Sequence, residues 1–231
     1  MLKLYHYTLD ASSRFARLLL EEYKADYALV ERKPWVRDEK LLELNPAGEL
    51  PVFVEQDGPA ICGGMNVSEY LDDTRGLAMG RARLMPDHPH ARAEVRRLIS
   101  WFLYKTEKDV TSYLVNEKAA KRQGRKEPGM NGTPDSAILR AARSNLKTHL
   151  DYVEFLTGNR NWIAGDKMTS ADFAAAAVFS VLDYLGEIPW KADSATKSWY
   201  QRIKSRPGFR SILADKVRGL PPSSTYADLD F

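Results

Sequence analysis

Asn45-Pro46-Ala47-Gly48-Glu49-Leu50-Pro51-Val52 ends one element and begins another within eight residues. Upstream, residues 40–44 carry a short helical pattern, and Pro46 blocks its continuation by driving the residue before it out of the helical region. Downstream, residues 50–55 and 60–62 flank the turn signal Asp57-Gly58, which predicts an antiparallel hairpin. Working back towards the start, residues 27–31 and 2–7 read as strands. Between them Phe15, Leu18, Leu19 and Tyr23 recur at helical spacing and predict a helix over about 13–24. Another helix is expected over about 66–73. The order βαβ, short α, ββα predicts a small mixed sheet with helices laid on it.

The pattern changes at residues 76–89, which hold two glycines and two prolines. Beyond them strand signals vanish, and helical periodicity runs over about 90–120, 134–156, 170–185, 193–205 and 207–215. The expected organisation is an α/β domain over residues 1–76, a linker over 77–89, an all-helical domain over 90–218 and a tail over 219–231. Thr169-Ser170-Ala171-Asp172 places a hydroxyl three residues before a carboxylate at a helix start, a capping box with Asp in place of Glu.

Hydrophobic residues at 44% and charged residues at 28% are ordinary for a folded chain and exclude wholesale disorder. No apolar run approaches the roughly 20 residues that cross a bilayer, and the first residues lack the basic start and apolar core of a signal peptide. One cysteine, Cys62, cannot form an internal disulfide. These features together predict a cytoplasmic protein. The net charge of +3 is mildly basic, partly through Lys121-Arg122-Gln123-Gly124-Arg125-Lys126, but no nucleic-acid motif accompanies that run. His88 and His90 lack a third ligand nearby, so no metal is expected, and Cys62 without a CxxC partner reads as an inert thiol.

Four features, in this order and spacing, resemble the cytosolic glutathione S-transferase superfamily over nearly the whole chain. They are Leu4-Tyr5-His6-Tyr7 with Ser13-Arg14; the stretch from Asn45 to Val52; the hairpin leading into Glu69-Tyr70-Leu71; and Ala164-Gly165-Asp166 before the capping box. The resemblance implies the glutathione S-transferase fold: an α/β thioredoxin-like N-terminal domain with an all-helical C-terminal domain, usually as a homodimer. It also implies that Pro51 is a cis-proline shaping a ligand cleft.

Against that family pattern, the residues of the cleft depart. A glutathione enzyme must populate the thiolate. In the serine and cysteine classes a hydroxyl or thiol just after the first strand does this, and the equivalent position here is Asp10, whose carboxylate would raise a thiol pKa. Ser12 and Ser13 are substitutes only in a shifted turn, and Tyr5 or Tyr7 only as mimics of the tyrosine classes. Where the family carries an acidic residue and a serine for the γ-glutamyl end, this chain has Gly63-Gly64, and the usual lysine ahead of Leu50-Pro51 is Glu49. Glutathione is therefore expected to bind weakly at most, with no other cofactor, and restoring the pair as Gly63→Glu with Gly64→Ser should improve binding unless the backbone needs glycine.

Glu31-Arg32-Lys33-Pro34-Trp35, the segment from Leu182 to Trp190, and the ending Tyr226-Ala227-Asp228-Leu229-Asp230-Phe231 resemble a subset of that superfamily in alphaproteobacteria that binds FtsZ, the tubulin-like division GTPase. The resemblance implies a non-catalytic protein that organises FtsZ filaments, with Trp35, Tyr226, Asp228 and Asp230 as partner-binding residues. The tail has a second reading, as a strap over the helical domain. An active enzyme that works on an electrophile through Ser12 or Tyr5 is the competing reading of the whole chain.

Overall fold

The computed structural model describes residues 2–55, 58–125 and 132–231. Asp57 of the expected turn and Lys126 of the basic run lie outside the described residues. Four strands form one sheet in the order β2-β1-β3-β4. β1 (Leu2–His6) pairs parallel to β2 (Tyr27–Glu31) and antiparallel to β3 (Val52–Val54), which pairs antiparallel to β4 (Ile61–Cys62). A parallel pair cannot be closed by a tight turn. α1 (Ala11–Glu22) makes that crossover, two residues ahead of the sequence expectation because Asp10, and not a serine, caps it. α2 (Glu39–Leu44) precedes the Leu50-Pro51 bond, which is cis as the resemblance implied. α3 (Gly64–Arg75) follows β4 and runs into a 3-10 stretch, Gly76–Ala82.

The helical half begins with α4 (Pro89–Ser100). Helix continues from it through wide turns of i→i+5 type at Trp101–Thr111, then α5 (Ser112–Val115), then a second wide stretch at Asn116–Ala120. Side-chain hydroxyls accompany the widening: Thr106 donates to the Trp101 carbonyl and Ser112 to the Glu107 carbonyl, each five residues back. α6 (Ser136–Asn159), α7 (Ser170–Tyr184), α8 (Ala195–Lys204) and α9 (Arg210–Leu213) complete it.

Every residue of α7 is buried. A helix apolar on all sides belongs at the centre of a core, and the run Ala174-Ala175-Ala176-Ala177 lets neighbouring backbones approach. The Thr169–Asp172 capping box forms as expected, and Asp172 also accepts from the Ile163 N–H and the Trp199 indole. α1 packs along α7, so the sheet half and the helical half share one core. Two buried cations on α1 fasten that contact. Arg17 forks onto Asp215 at 2.8 and 2.9 Å, while Arg14 donates to the Thr8 carbonyl, to Ser180 Oγ and, at 3.4 Å, to Asp215. His6, beneath them, has its pKa lowered to about 4 by burial and by the Arg17 charge, so it adds no third cation at neutral pH.

Candidate functional site

The residues expected to form the cleft converge on the N-terminal ends of α1 and α3. The Asn45 side chain shapes the approach, accepting from Ala47 N–H and donating to the Glu49 carbonyl at 2.9 Å. That leaves the Glu49 carboxylate exposed and places the buried Pro51 carbonyl to accept from Gly63 N–H at 2.8 Å. Gly63 sits at φ +87°, a left-handed conformation that costs a side-chain-bearing residue about 1–2 kcal/mol. At Gly64 an added Cβ would meet Ser12 Oγ at 2.7 Å and the Ser12 carbonyl oxygen at 2.9 Å. The α1 backbone lies against α3 at Gly64, so glycine is favoured at Gly63 by its dihedral angle and at Gly64 by the close approach. This meets the exception attached to the expected gain from Gly63→Glu with Gly64→Ser, that the backbone needs glycine.

The two serine hydroxyls near the turn each have a backbone partner. Ser12 Oγ accepts from Gly64 N–H at 3.1 Å, satisfying one of the orphan donors of α3. Ser13 is wholly buried and its Oγ accepts from Tyr7 N–H at 3.3 Å. Asp10 caps α1 by accepting from Ser13 N–H at 2.6 Å. Tyr5 lies within β1, its ring under the Arg32 guanidinium at 5.5 Å. Tyr7 is buried, accepts from the Gln123 amide at 3.3 Å and is met edge-on by the half-buried Trp35 ring at 5.2 Å. Burial raises the Tyr7 pKa, which makes a tyrosinate there unfavourable.

One residue of this region was not anticipated from sequence. Glu107, on the first wide stretch of the long helix, bonds Thr111 Oγ1 and lies close enough to Asp10 for that charge to matter. Burial, then the Asp10 charge, lifts the Glu107 pKa to about 7; burial lifts Asp10 to about 6 against donation from Ser13 and Ser12. Two neighbouring carboxyls with raised pKa values take up protons near neutrality, and where they are ionised they disfavour a further anion beside them. Cys62, half-buried, directs its Sγ to the Leu44 carbonyl, and burial raises its pKa, so the thiol form dominates. Among the described residues no group of His, Cys, Asp and Glu is arranged to hold a metal, and no helix is long and apolar enough to cross a membrane.

The tail lies over the far end of the helical half. Tyr226 is fully buried, donates to the Ile212 carbonyl at 2.7 Å and packs edge-on against Tyr184. It is an anchor and not part of the exposed surface. Ser223 bonds the backbone of Tyr184 and Asp183; the Lys204 ammonium donates to the carbonyls of Thr225 and Asp228, both at 2.7 Å. Phe231 packs at a tilt against Trp190 and receives Lys204 on its ring face at 4.1 Å. Asp228 and Asp230 stay exposed, as does Leu229.

Comparison with known proteins places this geometry. The sequence profile described as "Glutathione S-transferase, N-terminal domain" matches residues 12–74, and that described as "Glutathione S-transferase, C-terminal domain" matches residues 135–216. The chain is 42% identical over 231 residues to FtsZ-localized protein A of Caulobacter vibrioides, covering 99% of this chain and 97% of that one. The crystal structure of a glutathione S-transferase from Sinorhizobium meliloti superimposes with a TM-score of 0.95 at 51% identity over 100% of both chains, and FzlA from C. crescentus with 0.90 at 41% over 100% of this chain and 99% of that one. Fold, cis-proline cleft and full-length similarity agree, and this chain belongs to the glutathione S-transferase family.

Proposed function

We propose that this chain is a non-catalytic binding protein for the division GTPase FtsZ, organising its filaments as a cytoplasmic homodimer. The observation that carries this reading is the 42% identity, end to end, with a protein named for its localisation to FtsZ. The cleft supports it. Ser12 and Ser13 are committed to backbone N–H groups, Gly63 has a backbone that disfavours any side chain, Gly64 leaves no room for one, and the Asp10 and Glu107 carboxylates, where ionised, oppose a thiolate. The contact surface comprises Trp35, Asp228 and Asp230, with Tyr226 holding the tail in place. A dimer presents that surface twice, which raises avidity without new contacts.

Co-sedimentation with FtsZ filaments, run beside calorimetric titration with glutathione, tests the proposal. The expected result is co-pelleting, with glutathione bound no tighter than the millimolar range, about 4 kcal/mol. Micromolar glutathione affinity without co-pelleting overturns it in favour of an enzyme acting on an electrophile through Ser12 or Tyr5. One observation favours that second reading: the relative from Sinorhizobium meliloti, 51% identical, is described as a glutathione S-transferase. Light scattering checks the dimer, and a concentration-independent monomer removes the avidity.

A further inference from the structure

A groove of about 1220 Å³ opens where the C-terminal end of α1, the turns after α3 and the loop before α7 come together. It carries five cations, Lys24, Arg75, Arg81, Lys167 and Arg206, against the carboxylates of Glu22 and Asp166. Arg206 is spent on Glu22, forking onto it at 2.8 and 2.6 Å, and Arg75 reaches out of the groove to Glu55 at 3.3 Å. Lys24, Arg81 and Lys167 are exposed, and among the described residues none of the three makes an ion pair. Between the charges lies an apolar strip formed by the half-buried Met79, Met168 and Trp162. The Arg202 guanidinium covers the Trp162 ring at 4.5 Å and adds a further cation at the edge.

Among the described residues no carboxylate pairs with Lys24, Arg81 or Lys167. They outnumber the one carboxylate of the groove not spent on Arg206, that of Asp166, so carboxylates arriving from outside complement them, and the thioethers beside them adapt to varied apolar shapes. We infer that this groove docks an acidic peptide segment of a partner protein, one that carries an apolar side chain among its carboxylates. The carboxylates meet Lys24, Arg81 and Lys167, and the apolar side chain lies on Met79 and Met168. Nucleic acid fits less well, because the indole that would stack a base is already covered by Arg202. The site shares no residue with Trp35 or the tail and stands independently of the FtsZ reading.

Fluorescence anisotropy on the full chain tests this, with a short labelled peptide alternating Asp with Leu and Phe. Controls are the same peptide with Lys in place of Asp, labelled oligothymidylate, and vesicles containing phosphatidylglycerol. The acidic peptide is expected to give saturable binding that weakens as salt rises. Lys24→Glu with Arg81→Glu and Lys167→Glu should weaken it roughly tenfold, since each exposed contact contributes a few tenths of a kcal/mol. Arg81→Glu alone, at an exposed position, should weaken it about twofold and keeps the test intact if the triple variant folds poorly. Lys24→Arg with Arg81→Lys and Lys167→Arg should retain binding. Unchanged affinity in both charge-reversed variants overturns the inference. So does equal binding of the lysine peptide, or tighter binding of the oligonucleotide or the vesicles.

Discussion

The cleft at Gly63-Gly64 and the tail at residues 226–231 treat polar groups in opposite ways. Around the start of α1 the polar groups turn inward: Ser12 serves the start of α3, Ser13 serves Tyr7, and Asp10 caps α1. In the tail, the aromatic groups turn inward, with Tyr226 buried and Phe231 on Trp190, while Asp228 and Asp230 face solvent. A polar group already satisfied by its own backbone offers little to a ligand, because binding must first break that bond. Exposed carboxylates held on a pinned backbone are ready for a partner at small entropic cost. On the proposed reading, the partner meets the outward-facing carboxylates of the tail and not the inward-turned groups of the cleft.

The strongest way to break that comparison is to release the tail. Tyr226→Ala removes a fully buried aromatic ring together with its bond to Ile212, and should lower stability by about 3–5 kcal/mol. Urea unfolding measures this. A change within half a kcal/mol would show that the tail is not anchored by this residue. Next in size, Gly63→Glu with Gly64→Ser should cost about 2–4 kcal/mol, from the left-handed backbone and the overpacking against Ser12. The same variant should gain no affinity for glutathione by calorimetry; a gain would mean that the α1–α3 contact yields more readily than its distances imply.

The cleft carboxylates sharpen the comparison through pH. Asp10 and Glu107 have folded-state pKa values raised to about 6 and 7. For acids shifted upward, the stabilising form is the protonated one, so their contribution is fully present below the unfolded pKa and is lost as pH rises through the folded one. Stability from these groups should therefore fall between about pH 4 and 7. Glu107→Gln keeps a partner for Thr111 without the charge, and should raise stability near neutral pH by about 1–3 kcal/mol while flattening that slope. Melting temperatures across the range check it, and an unchanged slope would count against the burial of the Glu107 charge.

Much of the scaffold was legible because it is written in local signals. Asn45-Pro46 stopped α2, Thr169 with Asp172 marked the start of α7, and the resemblance placed the cis bond at Leu50-Pro51. Contacts between distant residues were not. Arg14 and Arg17 meet Asp215 from the other end of the chain, and no local pattern pairs them. Glu107 enters the cleft region from a helix whose turns widen at Thr106 and Ser112, a departure that ordinary helical periodicity does not show. Tyr226 was misleading for a physical reason: alternation of aromatic residues with carboxylates marks either a recognition tail or a half-buried strap, and only burial separates them.

The smallest effect on stability should accompany the largest proposed effect on function. The Asp228 side chain is exposed and accepts only from Asp230 N–H at 2.9 Å, two residues away. Its backbone carbonyl, and not its carboxylate, receives the Lys204 ammonium, so Asp228→Lys leaves that tether in place. The new cation would sit near Lys204, whose pKa is already lowered by burial and is helped by the Asp228 charge. The cost of the reversal is screened by solvent and should stay within about 1 kcal/mol. At a contact with FtsZ the same reversal replaces attraction with repulsion and should abolish most co-sedimentation. Melting temperature and co-sedimentation, measured on one preparation, separate the outcomes. Unchanged co-sedimentation with an unchanged melting temperature would remove Asp228 from the contact surface. Loss of both would make the residue part of the strap, and the outward-facing half of the tail would then be structural like the inward-facing half.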